Sequence, residues 1–378
     1  MARRPLPKCS SKIIPPLVYY NWDDIKQKRE LLKDPYAFEN QLSVTKADQR
    51  PLIVFDEIHK YSHWKNYLKG VYDKFHDDFD FIVTGSGRLN IYKKGADSLL
   101  GRYFMYNLLP LSLGEVLEPK LPAVGQLFKE FTEPSSKIKN SFEQLFYFSG
   151  FPEPFLKGDK TFLARWETTR KELILRQDIR ELTNVREIDL IDHLMLLLPE
   201  KIGSPLSLNS LTTDIGVSFK TVQNWMRILE KVYYLFSITP YAGGIKRSLK
   251  KERKFYFWNW QEAKDEAQRF ENFLACHLQK MVTLYNDFGL LNLSLHYCRD
   301  KNAREVDFLI VKDNKPWILL ETKLNETSPS PTLVSFMKAL GLKEAFQVIS
   351  PFNVHTLKKF DHGNIHIISA ATLLSSLP

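Results

Sequence analysis

Two sets of acidic residues in this sequence stand where carboxylates can do chemistry. The first closes the stretch "PLIVFDE", in which four apolar residues, Leu52 to Phe55, run into Asp56 and Glu57. That pattern reads as a buried strand delivering two carboxylates at its C-terminal end. One of them can hold Mg²⁺ directly or through water while its neighbour orients an attacking water, provided phosphates share the metal. Thr84 and Ser86, in "VTGSGRLN", end the next strand where a γ-phosphate would be sensed. Arg102 of "LLGRYF" could act in trans on a neighbour's phosphate, or simply form a surface salt bridge. The second set is Asp307, followed fourteen positions later by Glu321 and then Lys323. Strand alternation puts Glu321 and Lys323 on one face. A tight turn at Asp313 to Lys315 would lay Asp307 beside Glu321 on neighbouring strands. Asp307 lies within "EVDFLI", where apolar flanks make a charge costly unless it is paired or metal-bound. The plainer alternative is an ion pair of Asp307 with Lys323, leaving Arg304 and Glu305 in solvent.

The elements that must position these residues fall into three stretches. From the start to about residue 120, strands at "LVYYNWDD", "PLIVFDE" and "DFIVTGS" alternate with helical patterns from Asp34 to Val44 and in "WKNYLKGVYDKF". Such alternation predicts parallel strands with crossover helices, and ligands at the carboxyl ends of the strands. Residues 121 to about 260 read mainly as helices. A helix near Ser207 to Asp214, a turn at Gly216 and a helix capped by Ser218 form a helix-turn-helix pattern, with Val222, Trp225, Met226 and Leu229 on one face. "YYLFSITPYAGG" and "KFYFWNW" read as the strands of a wing. Lys220, Thr221, Gln223 and Asn224 could then reach DNA, although small winged helices also serve as packing or protein-contact modules. Residues 261 to 378 read as a long helix, three strands, a helix near 332 to 341 and two further strands.

Composition narrows the class. The 378 residues are 44% apolar, ordinary for a globular chain, and no run of eighteen apolar residues is present. No membrane span and a cytoplasmic location are expected. Three scattered cysteines, Cys9, Cys276 and Cys298, exclude a disulfide framework. His59, His63 and His76 match no ligand spacing and read as surface residues. The net charge of +9 permits nucleic-acid contact without demanding it. The densest basic run, "GGIKRSLKKERK" at 243 to 254, reads equally as a solvated loop or a phosphate-binding one.

Taken together, "LIVFDEIHKYSHWKNYLKGVYDKF", "FIVTGSGRLNIYKKGADSLLGRYF" and "LLPLSLGEVL" resemble the prokaryotic AAA+-type ATPases that carry a C-terminal domain of the DUF4143 type. The resemblance implies that Asp56 and Glu57 are the Walker B pair and Ser86 the sensor. It also implies a preceding strand and a Gly-rich phosphate loop. Before "LVYYNWDD" this sequence has sixteen residues without a glycine, so ATP binding and hydrolysis are expected to be weak or lost, by degeneration or by a start placed too late.

The C-terminal stretch resembles the PD-(D/E)xK nuclease arrangement. That likeness implies Mg²⁺ held by Asp307 and Glu321, a water or developing charge served by Lys323, and Glu271 contributed by the upstream helix. The expected fold class is therefore α/β, in three parts. These are a truncated P-loop NTPase-like parallel sheet over 1–120, a helical region with a winged helix-turn-helix over 121–260, and a restriction-endonuclease-like domain over 261–378. Three functions follow: a nucleic-acid-associated ATPase-family protein impaired in hydrolysis, a Mg²⁺-dependent nuclease, or a non-catalytic scaffold. DNA, protein partners or further copies of the chain are the partners these imply.

Overall fold

The computed structural model describes residues 16–42, 50–85, 99, 101–118, 121–180, 188–241 and 252–378. The chain forms two compact units, Met1–Phe104 and Met105–Pro378. Ser86, the extension of the second helix to Val44, Cys9 and most of the basic run after Tyr241 lie outside the described residues.

In the first unit, strands β1 (Leu17–Asn21), β2 (Leu52–Asp56) and β3 (Asp80–Val83) form a parallel sheet in that order. Helices α1 (Ile25–Lys33) and α2 (Ala37–Leu42) connect β1 to β2, and α3 (Trp64–Phe75) connects β2 to β3. The α1 helix, which the sequence reading passed over, starts where the Asp24 carboxylate accepts from the Lys26 and Gln27 backbone amides. The apolar spacing of α3 buries Trp64, Leu68, Val71 and Phe75 on one side. With Ile53 and Phe55 of β2 and Phe38 of α2 they form the core of this unit.

The second unit begins with α4 (Leu113–Leu117), α5 (Ser136–Phe148), α6 (Pro152–Lys157) and α7 (Lys160–Leu173), which runs on into a π-turn over Ile174–Ile179. After α8 (Ile188–Leu197) come β4 (Pro205–Leu206), α9 (Leu208–Ile215), α10 (Phe219–Lys231), β5 (Leu235–Pro240) and β6 (Arg253–Phe257). Gly216 turns between the two helices at φ +77°, and the Ser218 hydroxyl caps α10 by accepting from the Thr221 amide at 3.2 Å. Val222, Trp225, Met226 and Leu229 are buried as a single apolar face, while Lys220 and Asn224 are exposed and Thr221 and Gln223 half-buried.

The rest of the unit is α11 (Glu266–Asp287), β7 (Leu293–Arg299), β8 (Glu305–Lys312), β9 (Lys315–Lys323), α12 (Pro331–Leu340), β10 (Glu344–Ile349), β11 (His355–Phe360), β12 (Gly363–Ser369) and α13 (Ala370–Ser375). Among the described residues these strands make one nine-stranded mixed sheet, ordered β11-β12-β10-β9-β8-β7-β5-β6-β4. The stretches read from sequence as a middle and a last part thus contribute to the same sheet. The joint is β5 against β7, parallel, with Thr239 opposite His296. The antiparallel pair β5–β6 therefore lies inside the sheet and is largely buried. The β8–β9 hairpin turns through Asp313 and Asn314 at φ +50° and +62°, the left-handed pair that a two-residue turn requires.

Candidate functional site

In the first unit, the C-terminal end of the central strand β2 presents Asp56 and Glu57. Asp56 accepts hydrogen bonds from the Tyr19 hydroxyl of β1 and the Thr84 hydroxyl after β3, one on each carboxylate oxygen. One lone pair per oxygen remains, and the group is half-buried, so it fits a metal-bound water or a metal. The chain turns at Glu57, which has the left-handed φ of +57°. Its Oε2 lies 3.3 Å from Lys60 Nζ, and Lys60 also reaches both oxygens of Asp23 at 2.7 Å. Burial raises the Glu57 carboxyl above its ordinary range, against the pull of Lys60.

Two sequence expectations about this unit change. Arg102 donates through Nε to Asp73 of α3 at 2.7 Å, so it is held in an ion pair within its own unit. His59, read as a surface residue, is buried and lies 3.7 Å from Glu57 Oε2, because the short turn after β2 folds it under the strand end. His63 and His76 are exposed, as read.

The second unit gathers Asp307, Glu321, Lys323 and Glu271. The register that sets Phe308 opposite Leu320 places Asp307 and Glu321 side by side on β8 and β9. Asp307 Oδ2 accepts from both the amide and the hydroxyl of Thr322, each at 2.8 Å. Glu321 is buried and pairs through Oε1 with Lys323 Nζ at 3.1 Å. Burial raises its carboxyl, as does the charge of Asp307, while Lys323 opposes the shift.

The sequence missed the residue that joins these acids. Lys254, the last residue of the basic run read as a loop, is a buried residue of β6 with a side chain only 1% exposed. Its ammonium lies 2.7 Å from Glu305 Oε1, 3.1 Å from Glu271 Oε1 and 3.6 Å from Asp307 Oδ1. The plain alternative, Asp307 paired with Lys323 and Glu305 solvated, is thereby replaced. Lys254 serves Asp307 and Glu305, Lys323 serves Glu321, Arg299 reaches Glu305 Oε2 at 3.2 Å, and Arg304 turns to Asp300.

Glu271 also accepts from the Tyr256 hydroxyl at 2.8 Å, and Gly203, at φ +72°, lies close enough that a side chain there would stand 3.6 Å from the same carboxylate. Burial first, then the charge of Asp307, pushes the Glu271 carboxyl up to about 7, against Lys254 and Tyr256. Burial pulls the Lys254 ammonium down, but its three acids outweigh that and hold it above its usual value. Among the described residues, no group of three or more His, Cys, Asp or Glu side chains is arranged to hold a metal, and no helix is long and apolar enough to cross a membrane. The signal that could have found Lys254 is its setting in "KFYFWNW", an aromatic strand in which a lone lysine must be paired.

Three families match along the chain. Residues 9–117 match an AAA domain, 139–260 the domain of unknown function DUF8612, and 266–370 the domain of unknown function DUF4143. The uncharacterized protein MJ1544 of Methanocaldococcus jannaschii is 24% identical over 341 residues, covering 85% of this chain and 72% of that protein. The uncharacterized protein MJ1637 of the same organism is 24% identical over 258 residues, covering 64% of this chain and 54% of its own length. No solved structure matches.

Proposed function

Because the chain belongs to the AAA-type ATPases with a C-terminal DUF4143 domain, we propose that it is a nucleic-acid-associated member whose own nucleotide hydrolysis is impaired. The observation that carries the nucleotide site is Asp56 at the end of the middle strand, bonded by hydroxyls from both flanking strands and followed by Glu57. Asp56 would hold Mg²⁺, directly or through water, and the ion would neutralise phosphate charge. Glu57 would orient water, and its raised carboxyl makes it a stronger proton acceptor than an ordinary glutamate. The impairment rests on the phosphate grip. No Gly-x-x-x-x-Gly-Lys-Ser/Thr occurs anywhere in the 378 residues, and without such a loop the backbone amides and lysine that hold a triphosphate are missing.

The test is titration of a fluorescent ATP analogue with Mg²⁺ into the chain and into Glu57→Gln. Binding no tighter than millimolar in both is expected. Micromolar affinity would show that another element supplies the grip and would remove the impairment.

A second reading has one observation in its favour. Asp307 of β8, Glu321 and Lys323 of β9 and Glu271 of α11 come together at one edge of the β8–β9 hairpin, as a phosphodiester-cleaving site would require. It predicts Mg²⁺-dependent DNA cleavage that Asp307→Ala abolishes while the fold survives. The nucleic-acid association draws on the exposed Lys220 and Asn224 of α10 and on the net charge of +9. Affinity for duplex DNA that falls steeply with salt, and falls further in Lys220→Ala, is the expected result. The three-part division at residues 120 and 260 belongs to this proposal too, with truncated ATPase-like, winged-helix and nuclease-like parts.

A further inference from the structure

The acids of the second unit come from a helix and two strands, the way a divalent-ion site is assembled, yet three of the four close on an ammonium. Glu271, Glu305 and Asp307 all reach Lys254 Nζ within 3.6 Å. We propose that Lys254 is the built-in cation of this cluster and keeps divalent metal ions out of it, so that the site works, if it binds nucleic acid, without metal-dependent cleavage. The inference rests on the nuclease-type reading of the same residues and changes its chemistry.

Several features support the exclusion. Asp307 has little left to offer a metal: Oδ2 already accepts two bonds from Thr322 and Oδ1 faces Lys254. Glu271 is held in place, since the Tyr256 hydroxyl donates to the same Oε1 that faces Lys254. Lys254 is itself walled in, its ammonium 5.6 Å from the centre of the Tyr297 ring.

Charge balance points the same way. Four acids, Glu271, Glu305, Asp307 and Glu321, face three cations, Lys254, Arg299 and Lys323, and one proton closes the difference. A dication added to an already balanced, buried cluster would sit beside an ammonium that has nowhere to go, and the repulsion between them is weakly screened there. The remaining opening is at Glu321, whose Oε2 is buried; the Ser330 hydroxyl acts on this carboxylate, and a proton can complete it as well as a metal can.

The experiment is Mn²⁺ titration of the full chain without nucleotide, followed by the electron paramagnetic resonance signal of the free ion, on wild type, Asp307→Asn and Lys254→Met. Wild type and Asp307→Asn should bind Mn²⁺ alike in the millimolar range, which leaves any ion at Asp56 as a common background. Lys254→Met should gain one ion bound at least about tenfold more tightly, and adding Asp307→Asn to it should abolish the gain. An ion bound by wild type and lost in Asp307→Asn would overturn the proposal while sparing the nuclease reading, and it does so even if Lys254→Met fails to fold. A folded Lys254→Met that gains nothing would overturn both, because the acids would then not form a metal-type cluster at all.

Discussion

The two carboxylate sites are built alike and neutralised differently. Each stands on a strand end or hairpin, and each has an acid bonded by a neighbouring threonine, Thr84 to Asp56 and Thr322 to Asp307. At β2, the cation is Lys60, about a quarter exposed and shared with the exposed Asp23. At β8, it is Lys254, sealed from solvent and shared among three acids. An ion pair in contact with water exchanges partners at little cost, about 0–1 kcal/mol. A buried one cannot, because removing one partner leaves an uncompensated charge in a medium that screens poorly. The first arrangement suits a site that must accept a ligand and its metal. The second suits one that is complete as folded.

Substitutions can break that contrast, beginning with the largest effect. Lys254→Met should destabilise the second unit by about 3–5 kcal/mol, read by chemical denaturation followed through tryptophan fluorescence. A loss under about 1 kcal/mol would put the two sites on the same footing. Thr322→Val removes the hydroxyl donor from Asp307 while keeping the amide, and about 1 kcal/mol of lost stability is expected in the same assay. Lys60→Met in the first unit should cost less than about 1 kcal/mol, and a larger loss would mean that its partners are less free than their exposure implies.

The pH dependence sharpens the contrast further. The Glu271 carboxyl is raised from 4.5 to about 7, so its favourable contribution is full below about 4.5 and is lost as pH rises through about 7. The melting temperature of wild type should therefore fall across that window relative to Glu271→Gln, whose profile should be flatter there. Parallel profiles would show that the carboxyl ionises at its ordinary pH. Glu57 is shifted in the same direction but is only half-buried, so Glu57→Gln should flatten the profile less.

Much of the scaffold was legible because its signals are local. Apolar spacing gave α3 and α10, Gly216 and Ser218 marked the turn and cap between two helices, and Asp313–Asn314 marked the hairpin that brings Asp307 beside Glu321. What stayed hidden depends on contacts distant in sequence. Lys254 ends a run of basic residues that looks solvated, and only the pairing of β6 within the large sheet carries it beneath Glu305 and Asp307. Arg102 was open between a trans-acting and a paired role, and its bond to Asp73 is fixed by the position of α3. The edge strand β11 was missed because "HTLKKF" is exposed along nearly its whole length and shows no alternation.

The joint between β5 and β7 also bears on how this chain can change over generations. Lys254, Tyr256 and Gly203 fall in the stretch matching DUF8612, while Glu271, Glu305 and Asp307 fall in the stretch matching DUF4143. Recombination between those stretches would separate the acids from their cation and strip β7 of one of its two neighbours. A hybrid that took the stretch up to residue 260 from a relative lacking the lysine would be left with a cluster of buried, mutually repelling carboxylates. Exchanging one stretch without the other therefore leaves either the cation or its acids unmatched, and a change on one side of the joint calls for an answering change on the other.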